Sequence, residues 1–186
     1  MPEFQIYTDE TLPDGYAYQR MAFIRIHWDD SYVNNPDMPL KPVIEPETRH
    51  YLYVAGEALV SAASVVRREI TCDGVPYVCY GLSAVMTFPF FRKNGYGSQV
   101  VKAASDHMQA QPDADVALLW TSPDRGPWYS KFGWEAMPGL TIWVGDPQNP
   151  RHDDDSFLMM MFLSERAQQD RETIVNSRIY VGEWSW

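Results

Sequence analysis

The stretch that decides the fold is TFPFFRKNGYGSQVV, residues 87–101. It closes an apolar run with a proline, then places a basic pair, an asparagine and two glycines directly before residues with helical apolar spacing. A helix entrance leaves backbone N–H groups unpaired and carries the positive end of the macrodipole. Glycines there let an anion approach the main chain closely, and Arg92 and Lys93 add charge at the rim. The spacing fits neither the P-loop nor the dinucleotide fingerprint, and no Lys-Ser/Thr pair follows. Taken alone, the turn reads equally well as a simple cap.

Upstream of this turn lie three strand-like runs, RHYLYVA (49–55), EALVSAASVVRREI (57–70) and PYVCYGLSAVMTF (76–88). Two short turns separate them, the second built on an Asp-Gly pair suited to a tight hairpin. Further back, EFQIYT (3–8) alternates as a strand, and YAYQRMAFIRIHW (16–28) has helical spacing with Met21, Ile24 and Trp28 on one stripe. Residues 29–47, with Pro36, Pro39, Pro42 and Pro46, read as a long irregular loop, of the kind usually functional or mobile. Downstream, a helix is expected over 96–110 with Val100, Val101, Ala104 and Met108 inward. ADVALLWTS (114–122) follows as a buried strand, then a short helix near 127–132 with Pro127 at its first position. Strands at 134–144 and 156–163 flank a polar loop, and the tail 164–186 is ambiguous. The order predicts a single α/β domain, residues 1–186, with a mixed sheet of about seven strands flanked by helices.

The 186 residues, 45% apolar and 22% charged, suit one soluble domain with a full core. Seven tryptophans leave rings available to line a cavity as well as to fill the core. The net charge of −10, with no basic run, argues against nucleic acid and fits a cationic substrate or simple solubility. The first ten residues do not resemble a signal peptide, and the longest apolar run, FLMMMFL (157–163), is too short to span a bilayer, so a cytoplasmic protein is expected. Cys72 and Cys79 flank the hairpin turn on strands that could in principle be bridged; two free buried thiols are the preferred reading. Two cysteines and four scattered histidines have no ligand spacing, so no metal is expected.

The quoted stretch resembles the acetyl-CoA-binding segment of the GNAT N-acetyltransferases, whose Arg/Gln-x-x-Gly-x-Gly/Ala turn grips the CoA pyrophosphate. WYSKFGW (128–134) is similar to that family's second motif, Tyr-x-x-x-Gly-Phe/Trp, and the order of elements matches the GNAT fold. Within the superfamily the chain is similar to the aminoglycoside 2′-N-acetyltransferases. The likeness rests on SAASVVRREITCDGVPYVCYGLSAV (61–85), on HDDDSF (152–157) and on the acidic, Trp-rich end GEWSW (182–186). Three positions depart from that pattern. Ser83 stands where a Glu is usual, Trp120 where a Ser is usual, and Trp184 where an acid is usual.

The resemblance implies an acetyl-CoA-dependent N-acetyltransferase, with Val85, Met86 and Thr87 along the pantetheine. Arg92, Lys93, Asn94, Gly95, Tyr96 and Gly97 would wrap the pyrophosphate by main-chain electrostatics. Tyr129 falls at the family's general-acid position, against the plainer reading that it packs on Trp128 or Trp134. Ser83, Ala84 and Trp120 are expected to line the acceptor pocket. Asp29, Asp30, Asp154, Asp155, Glu183 and the terminal carboxylate of Trp186 are candidates to meet the amine, although each also reads as solvated surface. The expected substrate is a small cationic amine, possibly an aminoglycoside. The alternatives are another amine (a polyamine, an amino-sugar or a peptide amine) or a non-catalytic acetyl-CoA-binding module. A homodimer is the default expectation.

Overall fold

The computed structural model describes residues 1–28, 47–153 and 157–183, arranged as two compact units. One comprises 1–65 with 84–104, the other 66–83 with 105–186. Ten strands form a mixed sheet.

In the first unit, β1 (Glu3–Thr8) pairs antiparallel with β2 (Arg49–Ala55), and β2 pairs antiparallel with the first half of β3 (Ala58–Cys72). β4 (Val75–Thr87) follows β3 through Asp73 and Gly74, both at positive φ as a two-residue hairpin turn requires. That turn sets Cys72 opposite Val75, so Cys79 is not its facing residue. Both cysteines are buried and free, and burial pushes the Cys72 thiol up to about 11. Helix α1 (Asp14–His27) covers a core of Phe23, Leu52, Val54, Leu59, Ala62 and Met86.

The expected stripe on α1 is displaced. Trp28 is exposed and Met21 only partly buried, whereas Ala17 and Phe23 are buried. At 100° per residue the buried face is rotated by roughly one position and centres on Arg20. The reason is polar. Gln19 bonds Glu57 O and Leu59 N, each at 2.8 Å, and Arg20 Nη2 donates to Ser64 Oγ at 2.9 Å. Ser64 meets His50 Nδ1 at 2.9 Å, and His50 Nε2 meets Asp9 Oδ1 at 2.8 Å. Burial holds the His50 imidazole below its ordinary pKa, with Arg20 adding to the effect and Asp9 opposing it. Burial likewise brings the Arg20 guanidinium down to about 10.

In the second unit, the start of β4 pairs parallel with β5 (Val116–Thr121), which pairs antiparallel with β9 (Phe157–Phe162). β6 (Glu135–Ala136) also joins β9. Beyond the end of β3 come β10 (Arg178–Tyr180), then β7 (Thr141–Val144) and β8 (Arg151–Asp153). Helix α2 (Tyr96–Gln109), which belongs to the first unit up to Ala104, buries Val100, Val101, Ala104 and Met108 completely, as its spacing predicts.

Ten strands stand where about seven were expected, for three local reasons. The run 134–144 breaks in two around Gly139, at φ 85°. The polar loop carries β8 at the sheet edge. The ambiguous tail forms α4 (Glu165–Gln169), α5 (Arg171–Asn176) and β10, with Ser164 Oγ capping Ala167 N. Most of the proline-rich stretch read as a loop lies outside the described residues. Among the described residues no helix is long and apolar enough to cross a membrane.

Candidate active site

Two segments hold most of the described residues singled out by the sequence, each within its own unit. In the first unit β4 kinks at Ala84, which has φ 48°, a left-handed conformation that costs a side-chain-bearing residue about 1–2 kcal/mol. The parallel pairing of β4 with β5 runs through Cys79, Tyr80 and Gly81 and, among the described residues, goes no further. Past the kink, Phe88 N–H donates to Val60 O at 3.0 Å, and Ser61 Oγ donates to Met86 O at 2.8 Å. Main-chain groups alternate sides along an extended strand. The N–H and C=O of Val85 and Thr87 therefore face away from β3. Thr87 O accepts from Arg92 Nε at 3.0 Å, consistent with that direction.

The turn that follows is held by its own side chains. Residues Pro89–Phe91 make one 3₁₀ turn, and Asn94 Nδ2 donates to Phe91 O and Arg92 O, each at 3.2 Å. Lys93 and Gly95 both take positive φ, 67° and 83°. Gln99 N donates to Gly95 O, so the N–H groups of Gly95, Tyr96, Gly97 and Ser98 precede the first intrahelical bond. Arg92, Lys93, Asn94 and Gly95 are exposed. These residues fit the predicted cofactor: outward amides suit a pantetheine arm, and an amide-rich, basic helix entrance suits a diphosphate. Met86 differs from its neighbours, because its side chain is in the core and its carbonyl is taken by Ser61.

In the second unit, Tyr129 ends the short helix α3 (Gly126–Tyr129), just beyond β5. The helix starts one residue earlier than expected, so Pro127 is its second residue. Gly126 suits the crowded start of the helix, since a Cβ there would lie 3.0 Å from Phe157 Cε1 and the ring would have to shift. Tyr129 is 5% exposed, its ring 4.7 Å from that of Trp128, and its hydroxyl is hydrogen-bonded to Thr121. Burial pushes the phenol up to about 12, opposed by Arg125 and the Thr121 hydroxyl. The chain then turns at Gly133, φ 91°, and seats Trp134 in the core with its indole N–H on Ser105 Oγ at 3.0 Å. Tyr129 therefore packs on Trp128, as the plainer sequence reading expects.

Of the expected acceptor residues, Ser83 and Ala84 are half-buried at the kink. Trp120 packs, partly buried, against the apolar core of the second unit. Glu183 is exposed after β10. Asp29, Asp30, Asp154, Asp155 and Trp186 lie outside the described residues. Among the described residues no three His, Cys, Asp or Glu side chains converge as a metal site. Sequence reasoning missed Ser61 and Thr121. Ser61 had a faint signal, a hydroxyl residue that with Ser64 interrupts the apolar first half of β3.

A model of the acetyltransferase (GNAT) domain family matches residues 8–137, more than half of the chain. A search of curated proteins finds no match. Among solved structures, ElaA of Escherichia coli is 19% identical with a TM-score of 0.59, the match covering 86% of this chain and 99% of that one. The GNAT family N-acetyltransferase YhbS of Escherichia coli, solved in complex with CoA, is 11% identical with a TM-score of 0.57, covering 97% and 89%. NAA60 of Arabidopsis thaliana, in complex with a bisubstrate analogue, is 10% identical with a TM-score of 0.56, covering 86% and 98%. At these identities the structural likenesses speak to the fold.

Proposed function

The chain belongs to the GNAT acetyltransferases, enzymes dependent on acetyl-CoA, and on that premise we propose that it acetylates a primary amine of a small cationic acceptor, with aminoglycosides the first candidates. The observation that carries the cofactor half is the strand end beyond Ala84, with outward main-chain groups on Val85 and Thr87 leading into an amide-rich turn. The acceptor half rests on the resemblance to the aminoglycoside 2′-N-acetyltransferases and on the net charge of −10.

In this reading Val85 and Thr87 hold the pantetheine arm by main-chain hydrogen bonds, and residues 92–97 hold the diphosphate. Bound acetyl-CoA supplies an activated acetyl thioester. An outward amide of the strand polarises the thioester carbonyl, a preorganised dipole that needs no reorganisation during reaction. Tyr129 keeps its proton on Oη at every working pH, because burial raises the phenol to about 12. A thiol titrates near 8.5, so complete transfer from such a phenol is uphill by about 5 kcal/mol. Tyr129 Oη therefore donates a hydrogen bond as thiolate charge develops and gives up its proton only as the bond to sulfur breaks. The acceptor's ammonium must lose a proton before attack. Glu183 and the acids at 29, 30, 154 and 155, with the Trp186 carboxylate, are proposed to attract that cation and relay the proton through water.

Ser83 and Trp120 favour a second reading, in which a less acidic, more aromatic pocket takes a different amine such as a polyamine or a peptide amine. CoA release from acetyl-CoA, measured over a panel of aminoglycosides, polyamines, amino acids and peptides, separates the two. Turnover of aminoglycosides bearing a 2′-amine, and not of those with a 2′-hydroxyl, supports the first reading. Turnover confined to other amines replaces it with the second. Acetyl-CoA binding with no turnover anywhere would leave a non-catalytic module.

A further inference from the structure

Ser61 is fully buried on β3, and nothing in the chemistry above uses it as a reacting group. Its hydroxyl nevertheless touches the strand end that is proposed to hold the cofactor, at two points. Ser61 Oγ donates to Met86 O at 2.8 Å and lies 2.8 Å from Thr87 Oγ1. A serine has one hydroxyl hydrogen. With that hydrogen on Met86 O, the contact with Thr87 must be donated by Thr87.

These two bonds sit where the strand most needs them. At Ala84 the backbone leaves the extended region, which interrupts the alternation of a regular strand. Two anchors on β3 re-establish it, the main-chain bond from Phe88 N–H to Val60 O and the side-chain bond from Ser61. Holding the Met86 carbonyl toward β3 turns the other end of the same planar peptide, the Thr87 N–H, to the opposite side. The Thr87 hydroxyl is meanwhile occupied by Ser61, so what this stretch presents outward is main chain. Thr87 O, on that outward side, is in turn the acceptor for Arg92 Nε and connects the strand end to the basic turn.

We propose that Ser61 is a positioning residue for acetyl-CoA: by fixing the Met86–Thr87 peptide and the Thr87 side chain, it aims the strand's outward amides at the pantetheine arm. This inference rests on the cofactor reading given above. It requires the effect of Ser61 to be local to the arm, because the turn 92–97 is held by Asn94 and by its own positive-φ residues.

The test is titration calorimetry of the full chain with two probes, acetyl-CoA and 3′-phospho-ADP, the nucleotide half of CoA that lacks pantetheine. Ser61→Ala is expected to weaken acetyl-CoA about tenfold, with a matching rise in its KM, while 3′-phospho-ADP binds within about twofold of wild type. Ser61→Thr, which keeps the hydroxyl, is expected to restore acetyl-CoA affinity. Should Ser61→Ala fail to fold, Thr87→Val asks the same question from the other partner, and a loss confined to acetyl-CoA supports the proposal. Equal weakening of both probes would make Ser61 a merely structural residue, and no weakening of either would leave it without a role; each result overturns the inference. A wild-type protein that binds neither probe would instead overturn the cofactor reading itself.

Discussion

The interiors of the two units are built on different principles. The second is mainly apolar: Ile70, Cys79, Val116, Leu118, Ile142, Met160 and Ile179 pack together, with Tyr77 and Met137 among the other members of the cluster. The first has a smaller apolar core and threads a polar chain through it, Arg20 to Ser64 to His50 to Asp9, with Ser61 a second polar anchor beside the kink. Apolar packing is non-directional, so it can hold strands together without deciding how a peptide plane is turned. Hydrogen bonds are directional, and a buried group left without one costs about 1–3 kcal/mol. The unit proposed to aim main-chain groups at a ligand is the one with the connected polar chain, whereas the second unit buries a single indole–hydroxyl bond, Trp134 on Ser105, beside its apolar cluster.

That contrast can be broken most forcefully in the second unit. Trp134→Ala removes a fully buried indole and should cost about 3–5 kcal/mol, read as a fall in the urea midpoint that is nearly independent of pH. A pH-dependent loss there would mean that the apolar unit also relies on titrating groups. Tyr129→Phe is different in kind. It should cost about 1 kcal/mol of stability for the lost hydroxyl contact, well below Trp134→Ala, while lowering kcat about 100-fold, roughly 2.7 kcal/mol in the barrier. Unchanged turnover would remove Tyr129 from the chemistry.

Ser64→Ala should cost about 1–3 kcal/mol by interrupting the polar chain of the first unit. The same chain predicts acid sensitivity. The folded-state pKa of His50 is held below its unfolded value of about 6.5, so its contribution is complete above that pH and is lost as the pH falls through the folded value. Thermal unfolding from pH 7.5 to 5 should show wild type losing stability faster than His50→Gln; parallel curves would show that the imidazole does not titrate between the states. The smallest expected effect is at the kink. Ala84→Gly relieves a positive-φ alanine but frees the unfolded chain, for a net gain of about 0.5 kcal/mol.

Much of this was legible because it is periodic or local. The 3.6-residue spacing placed Val100, Val101, Ala104 and Met108 inward, and the Asp73-Gly74 pair announced its hairpin. The turn at 92–97 was legible as a motif, since the positive φ at Gly95 is a local need. The face of α1 was misread because hydrophobic spacing cannot anticipate an arginine at the centre of the inward face, its Nη2 bonded to a serine 44 residues away. The Ala84 kink was invisible for a related reason: nothing about an alanine in an apolar run signals left-handed backbone. Ser61 meets a partner distant in sequence, Met86, which no local pattern along the chain brings together.

The central claim is that acetyl-CoA is held by main-chain groups of the strand end beyond Ala84 and of the turn that follows. Residue-resolved amide hydrogen exchange, with and without saturating acetyl-CoA, tests it most directly. Protection is expected at the amides of Val85 and Thr87 and of residues 95–98, with Phe88 little changed because its N–H already donates to Val60 O. Acetyl-CoA binding that leaves Val85, Thr87 and the turn amides exchanging as in the free protein would contradict the account.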